Sequence, residues 1–179
     1  PPTVTLTYPN GGEHLDGSFT ATWSASDADG DDLFYHLLYS ADDGATWTPL
    51  AEYLTETSYT LDTAILAGTS SGRLRVMASD GFHTAQDDSN SGFTTPDNPP
   101  EAGIGTPLDG ESGWLPLHLS GAGYDLEDGS LSGSSLQWQS DLDGYLGSGR
   151  DLLLESLTLG THHITLTVTD SLDQTGAVT

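Results

Sequence analysis

Ser18-Phe19-Thr20-Ala21-Thr22-Trp23-Ser24 and Ile164-Thr165-Leu166-Thr167-Val168-Thr169-Asp170 decide how this chain folds. In both stretches apolar and polar residues alternate strictly. An extended segment of that pattern has one apolar face and one polar face, which predicts a half-buried strand. The second stretch belongs to a predicted strand at 162–169, which carries the adjacent His162 and His163. Outward from these two, short runs of the same kind predict strands at 3–8, 33–40, 46–51, 58–61, 73–79, 92–95, 102–106, 115–120, 135–140, 151–155 and 176–179. Gly, Asp, Asn, Ser and Pro punctuate them. The best helical candidate, 62–68, is one or two turns long.

The chain has 179 residues, too many for one sandwich of about 100 residues and enough for two. Its halves are a diverged repeat. Pro1-Pro2 returns as Pro99-Pro100, Pro9 with Gly12-Glu13 as Pro107 with Gly110-Glu111, and Asp27-Ala28-Asp29 as Asp125-Leu126-Glu127, all at an offset of 98 residues. Later pairs drift: Ser79-Asp80 returns as Thr169-Asp170. The boundary falls in the Pro-rich segment Thr95–Pro100, giving modules at 1–96 and 97–179. Adjacent prolines make this a short, stiff linker. Trp23 and Trp138 sit on the apolar faces, where sandwich cores hold large aromatics. The expected fold is all-β: two tandem immunoglobulin-like β-sandwiches.

Charge narrows the function. There are 27 acidic residues against three cations, Arg73, Arg75 and Arg150, and the formal net charge is −24. Binding to nucleic acid phosphates needs Lys and Arg, so no nucleic acid partner is expected. Anionic membranes are disfavoured for the same reason, and no apolar run is long enough for insertion. Cysteine is absent, which removes disulfides and thiolate metal sites. The chain starts at Pro1 without methionine and stops inside a strand. It therefore reads as a piece of a longer extracellular or cell-surface protein, whose neighbouring modules are its first partners.

Several segments carry a family likeness. Tyr8-Pro-Asn-Gly-Gly-Glu13, Thr22-Trp23, Tyr39-Ser40 and Val76-Met-Ala-Ser-Asp-Gly81 make the first half resemble fibronectin type III-like modules of bacterial and archaeal surface proteins. Tyr124-Asp-Leu-Glu-Asp-Gly129, Leu136-Gln-Trp138 and the 164–170 strand make the second resemble polycystic-kidney-disease-type and cadherin-like modules. The resemblance implies spacers, adhesive units or appendages of secreted hydrolases. Ser40-Ala-Asp-Asp-Gly-Ala-Thr-Trp47 matches the Asp-box of sialidase-type propellers. The box occurs once, and a turn between strands accounts for it locally.

The acids concentrate in loops. If strands alternate as in such sandwiches, the B–C and F–G loops share one end. In the second module these hold Asp125, Glu127 and Asp128 with Asp170 and Asp173, and the linker brings Asp97 and Asn98. In the first they hold Asp27, Asp29, Asp31 and Asp32, with Asp80 opposite. Clustered carboxylates repel unless neutralised, and cations are scarce. Calcium, a hard ion taking six to eight oxygens, fits such loops. The competing reading is a solvating acidic surface, as in proteins of salty habitats, since Asp and Gly are also ordinary turn residues. The turn acids Asp42, Asp43, Asp141 and Asp143 are ascribed to hairpins.

Catalytic signatures are missing. The histidines lack metalloprotease spacing, no nucleophile elbow occurs, and short loops leave no room for a deep pocket. No enzyme is expected. Trp47 and Trp114 are the candidates for stacking on sugars, although packing against the core or an edge explains both. Two functions compete: a calcium-stiffened spacer, and an adhesin or hydrolase appendage that binds surface glycans or proteins.

Overall fold

The computed structural model describes all 179 residues, which form two compact units, Pro1–Asp97 and Asn98–Thr179. The first holds β1 (Pro2–Tyr8), β2 (Ser18–Asp27), β3 (Phe34–Ser40), β4 (Thr48–Leu54), β5 (Ser58–Asp62), β6 (Thr69–Ser79), β7 (Thr84–Asp88) and β8 (Phe93–Thr95). One sheet runs β1-β2-β5; the other runs β4-β3-β6-β7, with β8 also paired to β6. In immunoglobulin lettering this is A-B-E against C′-C-F-G. The inward residues predicted from alternation fill the space between: Leu6, Ala21, Trp23, Tyr35, Leu37, Leu74, Val76 and Phe93 are all buried.

The second unit holds β9 (Glu101–Thr106), β10 (Leu117–Asp125), β11 (Gly129–Leu131), β12 (Leu136–Ser140), β13 (Gly144–Ser148), β14 (Asp151–Leu154), β15 (Ile164–Thr169) and β16 (Thr175–Val178). Strand β10 pairs with β9, β11 and β14, and the facing sheet runs β13-β12-β15-β16. The A-B-E and C′-C-F-G arrangement recurs, and both units are immunoglobulin-like sandwiches. The second core is smaller: Leu119, Leu136, Trp138, Leu154, Leu166 and Val168.

The structure adds strands that alternation does not reveal. β7 (Thr-Ala-Gln-Asp-Asp) and β13 (Gly-Tyr-Leu-Gly-Ser) lie at or near sheet edges and bury little, so their sequences are polar or Gly-rich. β10 runs on to Asp125, five residues past its predicted end, through Gly121 and Gly123. A Cβ on Gly121 would lie 2.5 Å from Leu166 Cδ2 and 2.9 Å from Trp138 Cζ2. Gly121 is the repeat partner of Trp23. In the first unit the large ring comes from the B strand. In the second it comes from the C strand of the facing sheet, and the B strand must yield the space. The 62–68 segment contains a single 3-10 turn, Thr63–Ile65, capped by the Asp62 carboxylate.

Candidate functional site

The repeat is preserved as hydrogen bonds. The Glu13 carboxylate accepts from the N–H groups of Asn10 (2.8 Å) and Gly11 (2.7 Å). Its counterpart Glu111 accepts from Leu108 N–H at 2.9 Å. Glutamate in this Pro-x-x-Gly-Glu motif holds a turn.

Each unit also buries two equivalent aspartates, one ending the B strand and one following the F strand. Asp27 and Asp80 have side chains 1% and 4% exposed; Asp125 and Asp170 are 2% and 8% exposed as residues. In every case Oδ1 caps the loop that follows. Asp27 accepts from Asp29 N–H at 2.7 Å. Asp125 accepts from Glu127 (2.9 Å) and Asp128 (2.7 Å). Asp80 accepts from Phe82 (2.7 Å) and His83 (2.6 Å), and Asp170 from Leu172 (2.9 Å) and Gln174 (2.8 Å). Oδ2 of Asp27, Asp125 and Asp170 are all buried and receive no hydrogen bond, and that of Asp27 has the Pro1 ammonium 3.4 Å away. Such orphaned carboxylate oxygens are rare, because burying one uncompensated costs free energy.

In the second unit the loops meet. Asp128 accepts from Ser171 N–H at 2.7 Å and from its hydroxyl at 3.0 Å, joining the B–C loop to the F–G loop. Glu127 Oε1 accepts from the backbone and side-chain N–H of Asn98, both at 3.3 Å. Asn98, the B–C acids and the start of the F–G loop are thus gathered. Asp173 is not: it is exposed, at the left-handed φ of 64° in its turn.

In the first unit Asp27, Asp29 and Asp31 bring carboxylate oxygens within 4.8 Å of one another. The Pro1 ammonium lies 3.4 Å from Asp27 and 3.2 Å from Asp29. Burial works to raise the Asp27 pKa, but the N–H groups of Asp29 and Asp31 and the ammonium outweigh it and hold the carboxyl below its usual value. Asp32 is exposed and outside that triad, though it lines the same shallow cavity as Asp27 and Asp31. Asp80 turns to its own loop, where the N–H groups of His83 and Phe82 pull its pKa down to about 2. Asp97 closes the first unit, its backbone packed on Gly68.

The tryptophan candidates part ways. Trp47 is half-buried, donates from Nε1 to Gly44 O at 3.0 Å, and carries Arg75 over its ring at 4.0 Å. Its ring is part of the Asp-box hairpin. Trp114 is 93% exposed, beside the half-exposed Leu115, so packing does not account for it. The turn acids have partners beyond their hairpins: Asp43 binds Arg73, Asp141 binds His163, and Asp143 accepts from Thr158. His162, expected on a strand with His163, precedes β15; its side chain is 8% exposed and that of His163 is 72% exposed.

No family model matches the chain, and no curated protein does. Among solved structures, one on Dscam isoform specificity aligns over 98% of this chain and 44% of its own, at 11% identity and a TM-score of 0.39. The chicken CNTN1 FN1–FN3 domains align over 94% of this chain and 62% of theirs, at 13% identity and a TM-score of 0.34. A Bacteroides uniformis beta-glucuronidase aligns over 99% of this chain and 24% of its own, at 9% identity and a TM-score of 0.31. The assignment to immunoglobulin-like sandwiches rests on strand order and pairing. No helix of the chain is long and apolar enough to cross a membrane.

Proposed function

We propose that this chain is a non-catalytic pair of extracellular spacer modules that bind calcium at their B–C and F–G loops and are stiffened by it. The carrying observation is the pair of buried Oδ2 atoms on Asp125 and Asp170, which receive no hydrogen bond. A divalent cation supplies what they lack: charge neutralisation and a hard Lewis acid for several oxygens at once. Asp125 and Asp170, with Glu127 and Asp128 nearby, offer enough carboxylate for calcium, while loop carbonyls and water complete six to eight ligands. The Asp27, Asp29 and Asp31 triad offers a comparable donor set in the first unit. Asn98, hydrogen-bonded to Glu127, lets an ion there restrain the segment by which the chain enters the second unit. The likeness of that unit to cadherin-like modules supports the same reading.

Affinity belongs in the range of extracellular modules, about 0.1–1 mM. At 5 mM calcium and a Kd of about 0.5 mM, mass action stabilises the folded state by about 1.4 kcal/mol. In domains of this size that raises Tm by roughly 5–10 °C. Calorimetry in calcium should show the rise, and equal magnesium should not match it. An unchanged Tm at 5 mM calcium ends this reading.

A further inference from the structure

The two units do not spend their equivalent aspartates alike. In the first, Asp80 is saturated: Oδ1 takes the N–H groups of Phe82 and His83, and Oδ2 faces His83 Nδ1 at 3.2 Å. In the second, the matching Asp170 has Oδ1 filled in the same way, but Oδ2 is buried and receives no hydrogen bond. The two loops differ in length: Asp80 N–H donates to His83 O and Asp170 N–H to Gln174 O, so the second loop holds one more residue. In the shorter loop the His83 ring reaches back to Asp80 Oδ2. Asp125 ends β10 of one sheet, and Asp170 follows β15 of the other. The Asp128–Ser171 hydrogen bonds hold these two strand ends together.

Resting on the calcium reading above, we infer that the second unit binds its ion as a clamp across the two sheets, with Asp125 and Asp170 as ligands from opposite sheets. The first unit has no such clamp: His83 removes Asp80 from the ligand set, and its ion is held by the single loop Asp27-Ala28-Asp29-Gly30-Asp31. One chain thus carries two unlike cation sites. The cross-sheet site is the one whose occupancy resists separation of the sheets.

Calcium titration calorimetry on the whole chain, with melting in EDTA and in calcium, tests this. Asp125→Asn and Asp170→Asn should each weaken the second-unit site roughly tenfold or more, because a charged ligand is lost. Both should also abolish the calcium-dependent rise in melting of that unit. In EDTA they should melt at or above the wild-type temperature, since asparagine keeps the Oδ1 acceptor and removes an uncompensated buried charge. Asp80→Asn should change calcium affinity by less than about twofold, as a residue outside both ligand sets. Equal losses for Asp80→Asn and Asp170→Asn would overturn the inference while leaving calcium binding intact. So would Asp170→Asn binding calcium like the wild type, or melting lower in EDTA by as much as in calcium, which marks a purely structural residue. Wild-type protein that takes up no calcium sinks the functional reading itself.

Discussion

At the scale of single residues, the second core is set by an exchange of volume. Gly121 stands where the first unit has Trp23, and Trp138 reaches in from the facing sheet. Trp138 is fully buried and donates from Nε1 to Gly149 O at 2.9 Å. The ring therefore fills its space with its polar atom satisfied. Adding one methyl at Gly121 drives it against Leu166 and Trp138 at contact distances real side chains do not show. Overpacking of this kind costs about 1–3 kcal/mol. Gly121→Ala should lower the denaturant midpoint of the second unit by a corresponding amount and leave the transition of the first unit unchanged. A variant as stable as the wild type would show that the Trp138 side can relax.

At the scale of elements, the Asp-box hairpin is held by its own carboxylate. Asp42 accepts from Thr46 N–H (2.8 Å), the Thr46 hydroxyl (2.6 Å) and the Ser40 hydroxyl (2.7 Å). These bonds, the Thr46 hydroxyl foremost, bring its pKa down to about 2. Arg75 then ties the hairpin to the sheet, stacked on Trp47 and paired with Asp88 through Nε at 2.6 Å and Nη2 at 2.8 Å. Two of the three arginines, Arg73 and Arg75, are used here. The pH consequence has a definite sign. An aspartate with an unfolded pKa of about 3.9 and a depressed folded pKa stabilises the native state above that unfolded value. The stabilisation is lost as pH falls through the folded value, so the window runs from about pH 4 down to about 2. Melting of the first unit should fall steeply there, and Asp42→Asn should flatten the fall while lowering Tm at neutral pH. Parallel curves for variant and wild type would remove Asp42 as the source.

At the scale of the whole molecule, a net charge of −24 acts on folding as self-repulsion. Four of the six histidines face an aspartate: His83 on Asp80, His118 on Asp151, His162 on Asp143 and His163 on Asp141. Arg73 and Arg75 are each paired with an acid. Many other carboxylates accept only from backbone N–H groups or hydroxyls, as Asp42, Asp62, Asp128 and Asp170 do, so their charge is left for solvent and ions to screen. Screening and specific binding separate cleanly. Raising NaCl to about 1 M shortens the Debye length to about 3 Å and should raise Tm in wild type and in Asp125→Asn alike. The millimolar calcium rise in melting of the second unit should survive only in wild type. A calcium effect abolished by 1 M NaCl would make the acids a general counter-ion shell, as in the salty-habitat reading.

The class of fold and the repeat were legible in the chain alone, as was an expected join after residue 96, against a division of the compact units after Asp97. Each follows from local pattern: period-two alternation at 18–24 and 164–170, the 98-residue offset, and the prolines at 96–100. The sequence also named the loop acids, because Asp, Gly and Asn mark turns whatever else they do. Only tertiary structure decided which of those acids matter. Asp125 and Asp170 lie 45 residues apart, and their unpaired oxygens arise from the packing of two sheets. Asp80 looks identical to Asp170 along the chain and is quenched by its own loop. Strands such as β7 and β13 were likewise invisible, since edge strands bury one side weakly and need no apolar stripe. Alternation records what a residue does with its own strand, whereas burial of a charge depends on what the rest of the fold brings to it.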